Sequence, residues 1–500
     1  MVENSILGSV YRWWLGSKIF ALVEAVYQPF KNAYNNLALI KWLRKPSKLQ
    51  VCYENSLFAR IIRAILDFIV RIISAIASFL RPVSENSAII KACKGSYFIN
   101  FEFLLGAFIC AMFIAPHEYW NNSYFVLFAF GFFALYLILV SCGKRELYYP
   151  DKLGFPLVLS VLALIFSMFF SVIPSDSIRI LVFFLASFVF MYTLAADITT
   201  PERLIKILAF IYFAVILTSC YAIIQRAFNL VHASASYTDL TANVGVPGRV
   251  TSTLDNPNNF AEFLVLFLPV SAVYAATRKK PLWSLVLCLA LAIPAVALLM
   301  TYSRSGWISV MLAAFVYVWL RNKKLIPALI ILCIAAIPFL PDSIMTRLST
   351  LSDLKDSSSS HRIALWQGVL YMIRDYWLTG IGLGPKSFAV LYPHYAQQGA
   401  LTGAYHTQMQ YMELILEMGI LGFISFMWMM LKNIKDIIIS QKTKSDIAKF
   451  TLIACAASFI GIAFSCCVEY IWFYPRDMFA YFILFGISIG VMRMKNKSIQ

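Results

Sequence analysis

The feature that most constrains this chain is the recurrence of apolar runs of 18 or more residues along most of its 500 residues. A helix of about 20 apolar residues crosses a bilayer core. Backbone polar groups find no water there, so only helices and closed barrels span. The runs lack the alternation of barrel strands. The chain therefore reads as all-α, a polytopic helical membrane protein. Composition agrees: 60% of residues are hydrophobic and 13% charged, which excludes an ordinary soluble domain.

Twelve spans are expected, at 98–116, 122–142, 154–174, 178–197, 206–228, 258–277, 281–301, 306–320, 325–341, 411–431, 450–468 and 477–492. Lys and Arg set their direction, because cytoplasmic connections collect them. The connections 143–153, 278–280, 321–324 and 432–449 and the tail 493–500 are basic and are expected to be cytoplasmic; 198–204 joins them by alternation. Both termini are then cytoplasmic, and 229–257, 302–305 and 341–410 face outward. This sidedness accounts for most of the net charge of +17. Nucleic acid is not an expected partner, because the basic residues are scattered over short connections. No signal peptide is evident, so the first span would act as an uncleaved anchor.

Four regions follow. Residues 1–95 hold thirteen basic and five acidic residues, with a weak repeat opened by Glu3-Asn4-Ser5, Tyr34-Asn35-Asn36, Glu54-Asn55-Ser56 and Glu85-Asn86-Ser87. Asn and Ser suit helix N-caps. Basic amphipathic helices suit an anionic cytoplasmic leaflet. The extension reads as a membrane-hugging segment or as a platform for a cytoplasmic partner. Residues 96–340 hold the first nine spans, 341–410 one large outward loop with short helices, and 411–500 the last three spans and the tail. The ten cysteines include no CxxC pair and no zinc-type spacing.

The positive-inside rule does not ask for basic residues on the outer face, so those found there are informative. Arg249 lies eight residues before Pro257. Asn256-Pro257-Asn258 suits a helix start, and an arginine near such an N-terminus suits an anion. Arg304 is the only charge between Lys280 and Arg321 and is flanked by Ser303 and Ser305. A lone arginine at span ends is costly without a partner. Ser357 to Ser360 lead into His361-Arg362-Ile363-Ala364-Leu365-Trp366. There Ile363, Trp366, Val369 and Leu370 would mark one face of a short amphipathic helix, with Arg362 in its first turn. Gly380-Ile381-Gly382-Leu383-Gly384 reads as a turn, since no βαβ unit surrounds it. His406 precedes the tenth span, which carries Glu413 and Glu417; His406 and Glu413 share a helical face if that helix starts early. A neutral imidazole can take a proton from a hydroxyl. Each residue also has a plain reading, as a solvated or lipid-snorkelling arginine or an interfacial histidine.

Together these strings resemble the O-antigen ligase and polymerase family, bacterial membrane glycosyltransferases that use polyprenyl-diphosphate-linked glycans. The strings are Arg249 through Asn258, Leu299 through Trp307, His361 through Trp366 with Gly380 through Gly384, and His406 through Gly422. Each alone is weak; four in order are specific, and they lie within 200–435. Two departures stand out: the family's histidine position falls on Gln408, and its Ser-Arg reads His361-Arg362. The resemblance implies a lipid-linked glycan donor at the outer face of the cytoplasmic (inner) membrane, with membrane lipids around it. Arg249, Arg304 and Arg362 would hold the diphosphate, and His406 would activate or orient an acceptor hydroxyl. Asn256, Asn258, Ser303, Ser305, Glu413 and Glu417 would support them, with no metal and no cofactor. The acceptor (glycan, lipid or protein) stays open, so ligase and polymerase are not separated. A flippase for the same lipid is the competing reading; it predicts charges at mid-membrane depth and internal repeats.

Overall fold

The computed structural model describes residues 16–17, 21, 25, 28, 56–86, 100–149, 154–231, 248–349, 357–396 and 403–494. Their regular structure is helical: α1 (Leu57–Asn86), α2 (Phe101–Ile114), α3 (Asn122–Ser141), α4 (Gly154–Phe169), α5 (Pro174–Asp197), α6 (Pro201–Ala227), α7 (Pro257–Ala276), α8 (Pro281–Ala290), α9 (Ala292–Met300), α10 (Arg304–Arg321), α11 (Ile326–Ala336), α12 (Asp342–Ser349), α13 (Ser357–Tyr376), α14 (Pro385–Leu391), α15 (Gln410–Ser440), α16 (Asp446–Ser465) and α17 (Pro475–Arg493). Every expected span falls on helix. Among the described residues, eight stretches are long and apolar enough to cross a membrane, namely α3, α5, α6, α7, α8 with α9, α15, α16 and α17; α2 and α4 are shorter apolar helices. The seventh expected span is broken at Leu291, between α8 and α9. Pro294 lies just beyond, and its missing N–H leaves the carbonyl four residues back without a helical partner.

The chain divides into two compact units, one of residues 1–65 and 322–339, the other of residues 66–321 and 340–500. The first holds the start of α1 and all of α11. The second is a helical bundle around α17, whose apolar stretch is 94% buried. α17 packs on α5, α7 and α16; α10 packs on α16, α2 on α6, and α4 on α15. At Gly486 an added Cβ would sit 2.7 Å from the Met191 carbonyl oxygen. Small residues of this kind let membrane helices approach closely.

The ends of α5 mark two chemically different faces of the bundle. At its C-terminus Asp197 pairs with Arg145 (2.7 Å), and Glu102 pairs with Arg145 and Lys206 (3.2 and 2.9 Å). Arg493 bonds the Ala195 carbonyl there. These basic groups come from connections expected to be cytoplasmic. At its N-terminus Asp176 accepts from Lys386 N (3.2 Å), and Ser177 donates to Leu383 O (2.9 Å), so the large polar segment docks at the opposite end.

Within the second unit, the part of α1 from Leu66 onward lies near the basic end, where Tyr149 donates to Asp67 at 3.0 Å. Ile73 packs into the core, and Ala77 is buried. A line of large apolar side chains, Leu57, Ile61, Ile65, Phe68, Ile72, Ile76 and Phe79, stays exposed at helical spacing.

α13, α14 and the following turn form a small separate core of Leu365, Val369, Met372, Ile381, Phe388 and Tyr392, closed by Leu416 of α15. The buried face of α13 is therefore rotated from the one expected: Ile363 and Leu370 are exposed, and Leu365 and Met372 are buried. The segment docks because α15 is interrupted at Gly419, whose φ is 67°. Ile381 N donates to Leu416 O (2.6 Å) and Ile420 N to Trp377 O (2.7 Å) across that break. A Cβ at Gly419 would collide with the Leu378 carbonyl. Gly419→Ala is expected to cost about 3 kcal/mol or more, from left-handed strain plus that collision. A thermal unfolding curve in detergent checks it, against a near-neutral outcome for Ala at Gly131, which has open space around it.

Candidate functional site

The turn after α9 gathers arginines. Arg249 Nε donates to Thr301 O (2.7 Å), and Arg347 Nε to Tyr302 O (3.4 Å). Both carbonyls lie just past the C-terminus of α9, where carbonyls lack helical partners and carry the negative end of the helix dipole. Tyr302, at φ 50°, turns the chain into α10. Ser303 then caps α10: its Oγ accepts from Gly306 N (3.4 Å) and lies 3.2 Å from Ser305 Oγ. Arg304 is the first residue of α10, in the turn whose backbone N–H groups lack helical partners, and its charge is felt at Arg249.

A second line of contacts ties in the rest. Arg249 Nη2 donates to Asn258 Oδ1 (2.6 Å), and Asn258 Nδ2 donates to Glu469 Oε1 (2.9 Å). Arg362 Nη2 donates to that same oxygen (3.0 Å), and Arg362 Nε donates to Gln408 Oε1 (3.0 Å). Asn256 caps α7 by accepting from Asn258 N at 2.8 Å, as the sequence suggested. Arg476, at the start of α17, donates to Thr253 O (2.9 Å) and Ala115 O (2.8 Å), which pins the loop carrying Arg249. Arg249 is buried and feels the charges of Arg347, Glu469, Arg304 and Arg362. Burial, then the Arg347 cation, lower its pKa to about 9; it stays charged at neutral pH, in a field that an added anion would relieve.

His406 sits beside this set. Its ring packs on Phe473 (centroids 4.4 Å) and Tyr470 (5.8 Å). Its Nδ1 accepts from Gln408 N at 3.1 Å. Burial and the nearby Arg362 cation lower its pKa to about 4, so the ring is neutral at physiological pH. With Nδ1 accepting, the hydrogen of the neutral ring is on Nε2.

Two expectations are corrected here. α15 starts at Gln410, so His406 is not on its helix and shares no helical face with Glu413. Glu413 instead accepts from Thr407 N (2.7 Å), and Glu417 accepts from Gly384 N (2.8 Å) and Tyr470 Oη (3.0 Å). Both glutamates are buried and brace the two loops that flank the site, outside the arginine set. Arg362 lies in the second turn of α13, which begins at Ser357, so it meets Glu469 rather than the free N–H groups of that helix.

The structure thus brings Arg249, Arg304, Arg362, Asn258 and His406 together. It leaves His361 and His394 exposed and outside the set. Sequence reasoning missed Arg347, Glu469 and Gln408 as members. The place of Arg347 in a segment expected to face outward was a usable signal; Glu469, in the turn after α16, offered none. Among the described residues no three His, Cys, Asp or Glu side chains come together as metal ligands would.

Residues 287–427 match the O-antigen ligase family. This ligase-like stretch carries Arg304, Arg347, Arg362, His406 and Gln408, while Arg249 and Glu469 come from either side of it. Comparison with curated proteins gives no match. The match and the helical membrane-type fold agree with the likeness drawn from the four strings.

A depressed histidine pKa has a fixed sign in stability. The unfolded ring takes its proton near pH 6.5 and the folded one near 4, so stability falls as pH drops from about 6.5 towards 4. In His406→Gln this part of the acid-side loss should vanish, as thermal unfolding across pH 4 to 7 would record.

Proposed function

We propose that the chain transfers a glycan from an isoprenyl-diphosphate carrier to an acceptor hydroxyl at the outer face of the cytoplasmic membrane. The observation that carries this reading is the convergence of Arg249, Arg304, Arg347 and Arg362 at the end of the bundle opposite the basic connections. A diphosphate gains negative charge as its bond to the sugar breaks. Prearranged guanidinium groups stabilise that charge at the moment it forms. Arg304 and the N-terminus of α10 offer one phosphate a paired site. Arg362, with its planar fork, suits the other. Direct displacement would invert the anomeric carbon. The ligase-family match over 287–427 supports the same chemistry.

The exposed apolar line on α1 supports a reading of that helix as lying on the cytoplasmic leaflet, with Arg60, Arg63, Arg71 and Arg81 for anionic headgroups. A chain starting at Lys94 is then expected to keep transfer activity in nanodiscs. Lost transfer would tie the extension to the site instead, and lost localisation with retained transfer would favour a docking platform.

The test of the main reading is the purified chain in nanodiscs, offered a polyprenyl-diphosphate glycan. A new glycosidic bond should form and survive EDTA. Arg304→Ala and Arg347→Ala should each lower the rate by about 100-fold or more, the usual effect of removing one charge-stabilising donor. Movement of the lipid across the bilayer with no new bond would establish the flippase instead.

A further inference from the structure

His406 is the residue the sequence offers as a base, but its geometry gives it a different part. Its Nδ1 accepts from Gln408 N at 3.1 Å, so the other ring nitrogen carries the hydrogen. The neutral ring therefore offers the site a donor at Nε2 and has no lone pair there to accept with. A proton leaving an acceptor hydroxyl must go elsewhere.

Glu469 is the acidic side chain in the hydrogen-bond line through the arginines. Its Oε1 accepts from both Asn258 Nδ2 (2.9 Å) and Arg362 Nη2 (3.0 Å). Its Oε2 takes no bond from the described residues. The Glu469 side chain keeps 14% exposure. The residue sits in the turn 466–474, held from both sides. Its carbonyl accepts from Gln410 N (3.1 Å), and its own N–H donates to Ser465 O (2.9 Å). The carboxylate is thus held by one oxygen, while the other takes no bond from the described residues, beside the groups that would hold the donor.

We propose that Glu469 Oε2 is the proton acceptor for the incoming hydroxyl, and that His406 acts as a hydrogen-bond donor rather than as the base. This assignment rests on the glycosyltransferase reading. In the step, the acceptor oxygen forms a bond to the anomeric carbon as the bond from that carbon to the diphosphate oxygen breaks. The bonding pair stays on the diphosphate, whose charge the arginines take up. The hydroxyl proton passes to Glu469, which later returns it to water or to the departing diphosphate. Atoms and charge balance without any further reactant.

A structural role for Glu469, holding Arg362 and Asn258, makes a different prediction from a proton-accepting one. Glu469→Gln keeps an oxygen that accepts both of those bonds, yet it cannot take a proton at neutral pH. The full chain in nanodiscs is given a polyprenyl-diphosphate disaccharide as donor, with the same lipid and a glycolipid bearing free sugar hydroxyls as acceptors. Glu469→Gln should lower kcat at least 100-fold while KM for the donor stays level or falls. Added formate should restore part of the rate. The low-pH decline of kcat in the parent chain should be absent from the residual rate of the variant and should persist in His406→Gln. Binding of inorganic diphosphate by Glu469→Gln verifies that the site is folded, and Glu469→Asp should recover part of kcat. A Glu469→Gln rate within threefold of the parent overturns the assignment, as does a loss carried wholly by KM or a pH limb that disappears with His406. These outcomes leave the transferase reading standing, because the parent chain still forms product. No product from the parent chain overturns both.

Discussion

The site depends on carbonyls left free at the end of α9. Like charges at close range repel, by roughly 3 kcal/mol for two unit charges 5 Å apart in a surroundings of intermediate polarity. Arg249 and Arg347 nevertheless lie within each other's field, because Thr301 O and Tyr302 O each accept from one of them. A helix that ran on past Met300 would have used those carbonyls in its own ladder. The left-handed Tyr302 and the Ser303 cap start α10 immediately, so one helix presents its negative end and the next its positive end within four residues. The first end holds two guanidinium groups, and the second presents backbone N–H groups without helical partners.

The two faces of the bundle handle charge in opposite ways. At the C-terminal end of α5, Arg145 and Lys206 meet Asp197 and Glu102 in pairs, which removes the penalty of partial burial. At the other end Arg362 meets the carboxylate of Glu469 directly and Arg249 reaches it through Asn258, while Arg347 bonds the Tyr302 carbonyl. Acidic residues are present nearby, but the fold spends Glu413 on Thr407 N and Glu417 on Gly384 N and Tyr470. These glutamates fix the loops instead of neutralising the arginines. Where these two carboxylates point thus sets them apart from the arginines.

The helices were legible because lipid imposes a long apolar run on each span, whatever its neighbours. Arg249, Arg304 and Arg362 stood out for a related reason: charge sidedness makes an arginine in a connection expected to face outward anomalous. The same logic covered Arg347, but its partner is a backbone carbonyl 45 residues earlier, and a backbone partner leaves no mark in the sequence. Glu469 is invisible in the same way, since Arg362 lies 107 residues before it. Local pattern also misled at α13. Its apolar residues run round more than one face, and the choice between faces was made by Tyr392 and Leu416, which belong to other elements.

Gln408 shows how one backbone position can reshape a site. It is the position where the resemblance places a histidine, and it adopts φ 55°, a conformation that costs a side-chain-bearing residue about 1 kcal/mol or more. Two contacts offset that strain. The Gln408 N–H fixes the tautomer of His406, and the Gln408 side chain accepts from Arg362 Nε. An imidazole at 408 would meet Arg362 with a smaller and differently placed acceptor, and the ring at 406 would lose its orienting partner if the backbone relaxed to negative φ. The glutamine therefore divides the work between two residues. It holds the guanidinium in its plane towards Glu469, and it turns the N–H of His406, rather than a lone pair, to the free side of the ring. A histidine displaced by two residues thus keeps its place beside Arg362, with its tautomer set by the residue that stands at the expected position.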